Sequence, residues 1–458
     1  MTVAALRWRA AGQRLLWVVA LLGCWGISVR IPAFQSPDEN AHLGRAYLIS
    51  RGHLLLEHPA GQDSGGYFEP AFTEYLRLYL PLIGKPENKR LSEEDRQRAK
   101  SLRWSPPQTD RTFQAVGGTG YYLPLIYAPH ALGLAVGQQL EMTVQHSYRL
   151  ARAMNWLAVI GLLALACTIL PPNPLAAALL LLPMSLFQAV SPVIDGISAA
   201  LVVLAVALFL RGSDRAQAPP PRWHLWTLAA TLLLLCTSRN QLLPMLGLPL
   251  FLAWRRRSWR AAGLGLVVIL LVAAWTVYAL KTTVDTRVPR DQGTGELLQH
   301  YAAHPLEFLR ITEATVSNPA VWKSYTDTFI GVLGWLDTAL SPEWYVWLTY
   351  GLGACAMASL SWKTLRRDAP ERLWLLLTAA GSILLVFLAM LVTWTPHPTD
   401  HVAGVQGRYF VAPLLVAAAA LSGTHDNWRP WWRAAPLVLL FAAASLSALL
   451  PALNARYH

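Results

Sequence analysis

The sequence predicts an all-α polytopic membrane protein that forms a single integral unit over residues 1–458. Three observations carry that prediction. Of the 458 residues, 54% are hydrophobic and 14% charged, about half the charged share of an ordinary soluble chain. Uncharged stretches such as 261–280 (AAGLGLVVILLVAAWTVYAL) reach the roughly 20 residues that a helix needs to cross a bilayer. The net charge of +12 collects in short basic segments between the apolar ones, as cytoplasmic loops require.

Twelve apolar segments follow one another at 15–34, 121–140, 150–170, 174–190, 193–211, 224–238, 241–254, 261–280, 343–362, 372–394, 408–422 and 434–452. The first lacks a small-residue cleavage site and reads as a retained helix. Cys24, Cys167, Cys236 and Cys355 all fall inside apolar stretches. They read as small core residues, with no disulfide framework or zinc site.

Arg7, Arg9 and Arg14 put the N-terminus inside. Four later segments are basic: Arg211/Arg215/Arg222, Arg255–Arg257/Arg260, Lys363/Arg366/Arg367/Arg372 and Arg429/Arg433. All four fall inside if 121–140 does not span. That segment holds Pro124, Pro129, His130 and Gln138-Gln139, so it is expected to be a re-entrant or interfacial helix covered by protein or water. A true span there, with one missed elsewhere, is the competing arrangement. The preferred count is about eleven spans, with two large outer loops at 35–149 and 281–342. Under this topology the inner segments carry the whole positive surplus. The charge therefore records orientation and anionic inner-leaflet lipids, not nucleic-acid binding. Within the first loop, 67–83 is expected to be an interfacial helix with Tyr75, Leu76, Tyr79 and Leu80 on one side. A charged helix is expected at about 93–103, capped by Ser92.

Polar residues that a bilayer disfavours gather on the outer side of this map. Asp38 and Glu39 follow the first span in FQSPDENAH, where Pro37 is expected to stop the helix. Adjacent carboxylates at a water-facing mouth suit general-base work or a cation, although a capped loop start accounts for them too. His42 lies one helical turn from Asp38. Asp195 opens the span 193–211, as an intramembrane functional group or as a helix cap. Arg239 lies between apolar segments of 15 and 14 residues. Each would be about 22 Å long as a helix, against about 30 Å of hydrocarbon, so their junction should lie in a recess. An arginine there costs roughly 2.5–3.5 kcal/mol at mid-membrane and calls for a phosphate or carboxylate partner, unless it snorkels. Arg408, in HVAGVQGRYFVAPLL, has Gln406, Tyr409 and two glycines beside it; snorkelling is again the alternative. Asp337 and Glu343 sit under aromatic cover in GVLGWLDTALSPEWY. The carboxylates and arginines come from separated places yet map to one side, which suits an anionic lipid-linked substrate.

PDENAHLGRAYLISRGHLL, SPVIDGISAALVVLAVALFLR, LGWLDTAL and GVQGRYFVAPLL, in this order, resemble a bacterial family of multi-spanning membrane proteins of unknown function. That family is usually placed in the GT-C superfamily of membrane glycosyltransferases. The resemblance runs from about 15 to 450. It implies a GT-C-like helix bundle whose first outer loop bears the catalytic carboxylate. Asp38 then resembles the general base, with Glu39 the close alternative. Asp195 resembles the second acidic position. Arg239 and Arg408 would hold the donor phosphate; His42, Asp337, Gln406 and Tyr409 would support substrate. Arginine at 239 replaces a more usual lysine, exchanging a point charge for a bidentate fork.

The function so implied is inverting transfer of a sugar from a polyprenyl-phosphate donor to a glycan or lipid-linked acceptor, on the periplasmic face of the bacterial cytoplasmic membrane. No cofactor is expected to be required, while a divalent cation at Asp38 and Glu39 stays open. The rival functions are a transporter or flippase of a lipid-linked saccharide and a surface-polysaccharide polymerase or ligase.

Overall fold

A computed structural model describes residues 18–106, 110–216, 218–288, 291–361, 366–422 and 434–458. The basic residues Arg7, Arg9, Arg14, Lys363, Arg429 and Arg433 lie outside these. In chain order the helices are α1 (Val18–Ser28), α2 (Glu39–Ser50), α3 (Pro70–Tyr79), α4 (Glu93–Ser101), α5 (Ala128–Gln139), α6 (Val144–Ile169), α7 (Pro174–Leu180), α8 (Pro183–Val190), α9 (Ile194–Ser213), α10 (Arg222–Cys236), α11 (Gly247–Arg256), α12 (Trp259–Thr282), α13 (Thr294–Ala303), α14 (Pro305–Val316), α15 (Pro319–Ile330), α16 (Pro342–Ser359), α17 (Ala369–Thr393), α18 (Val411–Ala420) and α19 (Ala435–Tyr457).

Five of these, α6, α9, α12, α17 and α19, are long and apolar enough to cross a membrane. Their starts follow capping rules: Thr143 caps α6 by accepting from the His146 amide, and Ser258 caps α12 by accepting from the Ala261 amide. Large apolar side chains stand exposed on α1 (Leu22, Trp25), α12 (Leu266, Leu270), α17 (Leu373, Leu377) and α19 (Leu439, Leu440). Water would penalise such a surface and lipid would not. The chain is thus a helical, multi-pass membrane protein.

Several of the expected spans are shorter than drawn. Segment 174–190 breaks into α7 and α8 ahead of Pro183, because proline cannot donate an intrahelical bond. Segment 408–422 divides into a 3-10 turn, Gly407–Phe410, and the ten-residue α18. A 3-10 stretch, Asn240–Leu246, joins α10 to α11. Helix α5 has 12 residues, about 18 Å at 1.5 Å per residue, well short of the hydrocarbon thickness.

The region between α1 and α5 departs from its expected form in two ways. Residues Gly65–Phe68 are not helical but pair antiparallel with Thr112–Ala115 as a two-stranded ribbon. A second small ribbon joins Val332–Leu333 to Thr338–Ala339. Helix α3 does not offer Tyr75 and Tyr79 to a membrane surface: both are buried, edge-on against Phe34. Ring burial against other rings outweighs an interfacial position because the whole aromatic area leaves water. Helix α4 forms as expected, with Ser92 accepting from the Asp95 amide.

Helix α9 is the hub. It is apolar all round and buried along nearly its whole length, as a helix enclosed by others must be. It packs against α6, α8, α10, α11 and α18. Its N-terminal turn, which carries Asp195, thus lies where several helix ends converge.

Candidate functional site

The site begins with the turn that leads from α1 into α2. Helix α1 ends at Ser28, well before Pro37, so proline is not what stops it. Arg152 on α6 takes over the released carbonyls, donating to Ser28, Ile31 and Pro32 oxygens at 2.7–3.0 Å. Two residues of the turn, Phe34 and Asp38, adopt left-handed backbone at φ 62°, which costs a non-glycine residue on the order of 1 kcal/mol. Glu39 holds this shape. Its carboxylate accepts from the amides of Phe34 and Ser36, both at 3.0 Å, and from Tyr148 Oη at 2.5 Å. Trp335 Nε1 adds a bond to the Phe34 carbonyl at 2.8 Å.

The two adjacent carboxylates therefore differ in kind. Glu39 is fully buried, with both oxygens engaged inside the turn and Arg152 at 3.7 Å. Its oxygens already serve the turn, which leaves Asp38 the more accessible of the two carboxylates. Asp38 occupies the cap position of α2 but makes no side-chain cap bond. Its side chain is 51% exposed and meets Arg408, whose own side chain is 4% exposed, at 3.0 Å.

Arg408 connects this turn to α9. Its Nη2 donates to Asp38 Oδ2 and its Nε donates to Gln406 Oε1 at 2.7 Å. Its guanidinium also covers the Tyr409 ring at 5.2 Å. Asp195 pairs with Arg239 Nη2 at 2.7 Å, and Arg239 Nε donates to Ser198 Oγ at 3.3 Å. The helix-cap alternative for Asp195 fails, because the cap residue of α9 is Val193. Gln188 on α8, which sequence reasoning missed, links the two pairs. With its amide oriented to satisfy both neighbours, it donates to Asp195 Oδ2 at 3.3 Å and accepts from Arg408 Nη1 at 3.2 Å.

Two glycines make this convergence fit. A Cβ on Gly196 would meet Ala189 Cα at 2.7 Å, so glycine there lets α9 approach α8 and brings Gln188 beside Asp195. A Cβ on Gly407 would meet the Tyr325 carbonyl oxygen at 1.9 Å, and the Gly407 amide donates to Thr328 Oγ1 at 2.8 Å. This glycine admits the backbone of α15 rather than a ligand, and it seats Arg408.

A cavity of about 270 Å³ opens from the cluster. Its polar end is Gln188, Asp195, Ser198, Arg239, Arg408 and Tyr409. The rest is almost wholly apolar, lined by Cys24 of α1, Val159, Leu163 and Cys167 of α6, Leu181 and Met184 beside and on α8, and Ala412 of α18.

Of the remaining expected site residues, Asp337 and Glu343 lie apart from the cluster, and His42 borders it, in the field of Asp38, Asp195, Arg239 and Arg408. Asp337 belongs to a separate buried pair with Arg456 at 3.0 Å. That arginine also donates to the carbonyls of Leu82 and Asn88. Asp337 is a tie between the segment that joins α15 to α16 and α19, not a member of the cluster. Glu343 is exposed in the first turn of α16. His42 is buried, with Nδ1 2.7 Å from Tyr127 Oη and its ring stacked on Tyr122 at 6.1 Å. Burial pushes its pKa down to about 4, against an opposing pull from Asp38. Tyr122 stands in the field of Arg239, Asp38, Tyr409 and Asp195, and burial raises its pKa. Arg287, in the segment after α12 and ion-paired to Asp285 at 2.6 Å, acts electrostatically on Asp38 and Tyr122 as well. Neither Tyr122 nor Arg287 stands out in sequence.

A family model described as a predicted membrane protein (DUF2142) matches residues 21–417. No curated protein matches the chain.

Proposed function

The chain belongs to the DUF2142 family of predicted membrane proteins, and from that premise we propose that it is a GT-C-type membrane glycosyltransferase. Its donor would be a polyprenyl-phosphate-linked sugar and its acceptor a glycan or lipid-linked hydroxyl. The observation that carries this reading is a largely apolar cavity with Arg239, Arg408 and the Asp195 carboxylate at one end, where Arg408 also reaches the half-exposed Asp38 beyond the cavity lining. A molecule suited to it has a long apolar tail and a compact anionic head.

In this mechanism the polyprenyl chain occupies the apolar body beside Cys24, Leu163 and Leu181. The phosphodiester lies against Arg239 and Arg408, whose planar forks match phosphate oxygens. Asp38 accepts the proton of the acceptor hydroxyl. The acceptor oxygen forms its bond to the anomeric carbon from the opposite side, with inversion. The bond from that carbon to the phosphate oxygen breaks, and its electron pair stays on the leaving polyprenyl phosphate. Asp38 and Asp195 offset the two arginines at rest. The charge gained by the phosphate on bond cleavage therefore meets preorganised donors. Gln188 keeps the two arginine–carboxylate pairs in one geometry.

The placement that goes with this proposal is the bacterial cytoplasmic membrane, with about eleven spans, a cytoplasmic N-terminus and the site on the periplasmic side. The balance of basic residues along the chain supports it.

The test of the donor assignment is binding of a polyprenyl-phosphate sugar to the purified protein in detergent. Wild type should bind, and Arg239→Ala and Arg408→Ala should each weaken binding by at least about tenfold, the loss of one charge-assisted bond. Equal affinity in all three proteins would count against the phosphate role of both arginines.

A further inference from the structure

We propose that His300, His304 and Glu307 form a binding site for one divalent transition-metal ion, zinc being the natural occupant, on the second outer loop. The site is separate from the arginine–carboxylate cluster and does not depend on the glycosyltransferase reading.

The geometry begins with helix periodicity. His300 lies in the last turn of α13 and Glu307 in the first turn of α14. His304 is the joint between the two helices. Spacings of three and four residues put side chains on one face, and here that face continues across the joint. The imidazole rings of His300 and His304 lie 4.6 Å apart. His300 Nε2 is 3.0 Å from Glu307 Oε2. One ligand atom from each residue falls within 4.8 Å of the other two. Tetrahedral zinc with bonds of about 2.0–2.2 Å holds its ligand atoms roughly 3.4 Å apart, so small side-chain rotations close the set.

A second observation concerns the tautomer. His304 Nδ1 lies 2.9 Å from the His300 carbonyl oxygen. A carbonyl only accepts, so this nitrogen carries the proton and Nε2 holds the free lone pair. An imidazole whose other nitrogen donates to a backbone carbonyl is the usual arrangement around a metal ligand. Two imidazoles and one carboxylate select zinc-like ions over calcium or magnesium, which prefer all-oxygen sites. Three protein ligands leave a fourth position for water. Binding replaces the proton that His300 Nε2 shares with Glu307, and that proton goes to solvent.

The ion would fasten α13 to α14 on the outer side of a joint whose inner side packs through Leu297, Tyr301 and Ile311. Helix α13 is also tied to the segment after α17 through Tyr301 Oη and His397 Nε2 at 3.0 Å.

The test uses the full-length protein in detergent, stripped with a chelator and titrated with zinc chloride against a chromophoric competitor. One equivalent should bind. His300→Ala and His304→Ala should each weaken that equivalent by at least about tenfold, and Glu307→Gln should weaken it measurably. Zinc should raise the melting temperature of wild type but not of His304→Ala. Without zinc, His304→Ala and Glu307→Gln should melt close to wild type, since those two side chains are exposed. Zinc affinity equal in wild type and His304→Ala, or no bound equivalent in wild type, would overturn the assignment.

Discussion

Arg408 and Asp38 are 370 residues apart in sequence, and they meet at 3.0 Å with the arginine buried and the carboxylate half exposed. The pair joins the turn after α1 to the turn before α18. It gives the cluster one half-exposed member, Asp38, beside members that are mostly enclosed.

Asp195 and Arg239 form the enclosed half of the cluster, with side chains 18% and 11% exposed. Removing one partner of a buried pair leaves an uncompensated charge and costs about 3 kcal/mol or more. Asp195→Asn and Arg239→Gln should each lower the melting temperature. The double variant should lose less than the sum of the two, a coupling read from a double-mutant cycle. Additive losses would show that the two side chains do not act as a pair.

Gln188 should matter through geometry rather than charge. Gln188→Leu removes the amide that links Asp195 to Arg408 while keeping similar volume. Transfer rate should fall by about 1–2 kcal/mol in barrier, or roughly tenfold, for one lost hydrogen-bond link. A rate equal to wild type would remove Gln188 from the site.

Asp337 and Glu39 should behave as structural carboxylates. Asp337 is paired to Arg456 and Glu39 holds the turn. Asp337→Asn should lower thermal stability, while the fraction that remains folded transfers at the wild-type rate. Glu39→Gln should destabilise too, because one oxygen that accepts amides becomes a donor. Inactivity of a fully folded Asp337→Asn protein would return that residue to the site.

His42 should not titrate in the working range. Burial depresses its pKa to about 4, so the ring is neutral above that value. The unfolded chain, with an ordinary value of 6.5, takes up a proton that the folded protein excludes. Stability is therefore complete above about 6.5 and declines as pH falls from there towards 4. A rate profile between pH 5 and 8 should show no bend due to His42. A bend near 6.5 that disappears in His42→Gln would contradict this.

Much of the cluster could be read in the sequence because charge within apolar surroundings is conspicuous. Asp195, Arg239 and Arg408 stand out in VIDG, CTSRNQ and GVQGRYF for that reason alone. The choice between Asp38 and Glu39 could not be read that way. It depends on which carboxylate receives the Phe34 and Ser36 amides, and that is a property of a left-handed turn. Gln188 is an uncharged amide in LFQAVSP, with nothing in its own segment to mark it; its meaning comes from Gly196 letting α8 lie against α9. Asp337 looked equivalent to the others until α19 brought Arg456 beside it. Helix content followed from apolar length. The break of 174–190 has a local cause in Pro183, whereas the ribbon at Gly65–Phe68 depends on Thr112–Ala115, a tertiary partner that local pattern does not reveal.

The most direct measurement of the central claim is sugar transfer from polyprenyl-phosphate donors by purified wild type and by Asp38→Asn, with folding of both verified by melting. The account predicts transfer by wild type and a loss of about a hundredfold or more in the variant, the usual contribution of a positioned base. A folded Asp38→Asn protein that transfers sugar at the wild-type rate would contradict it.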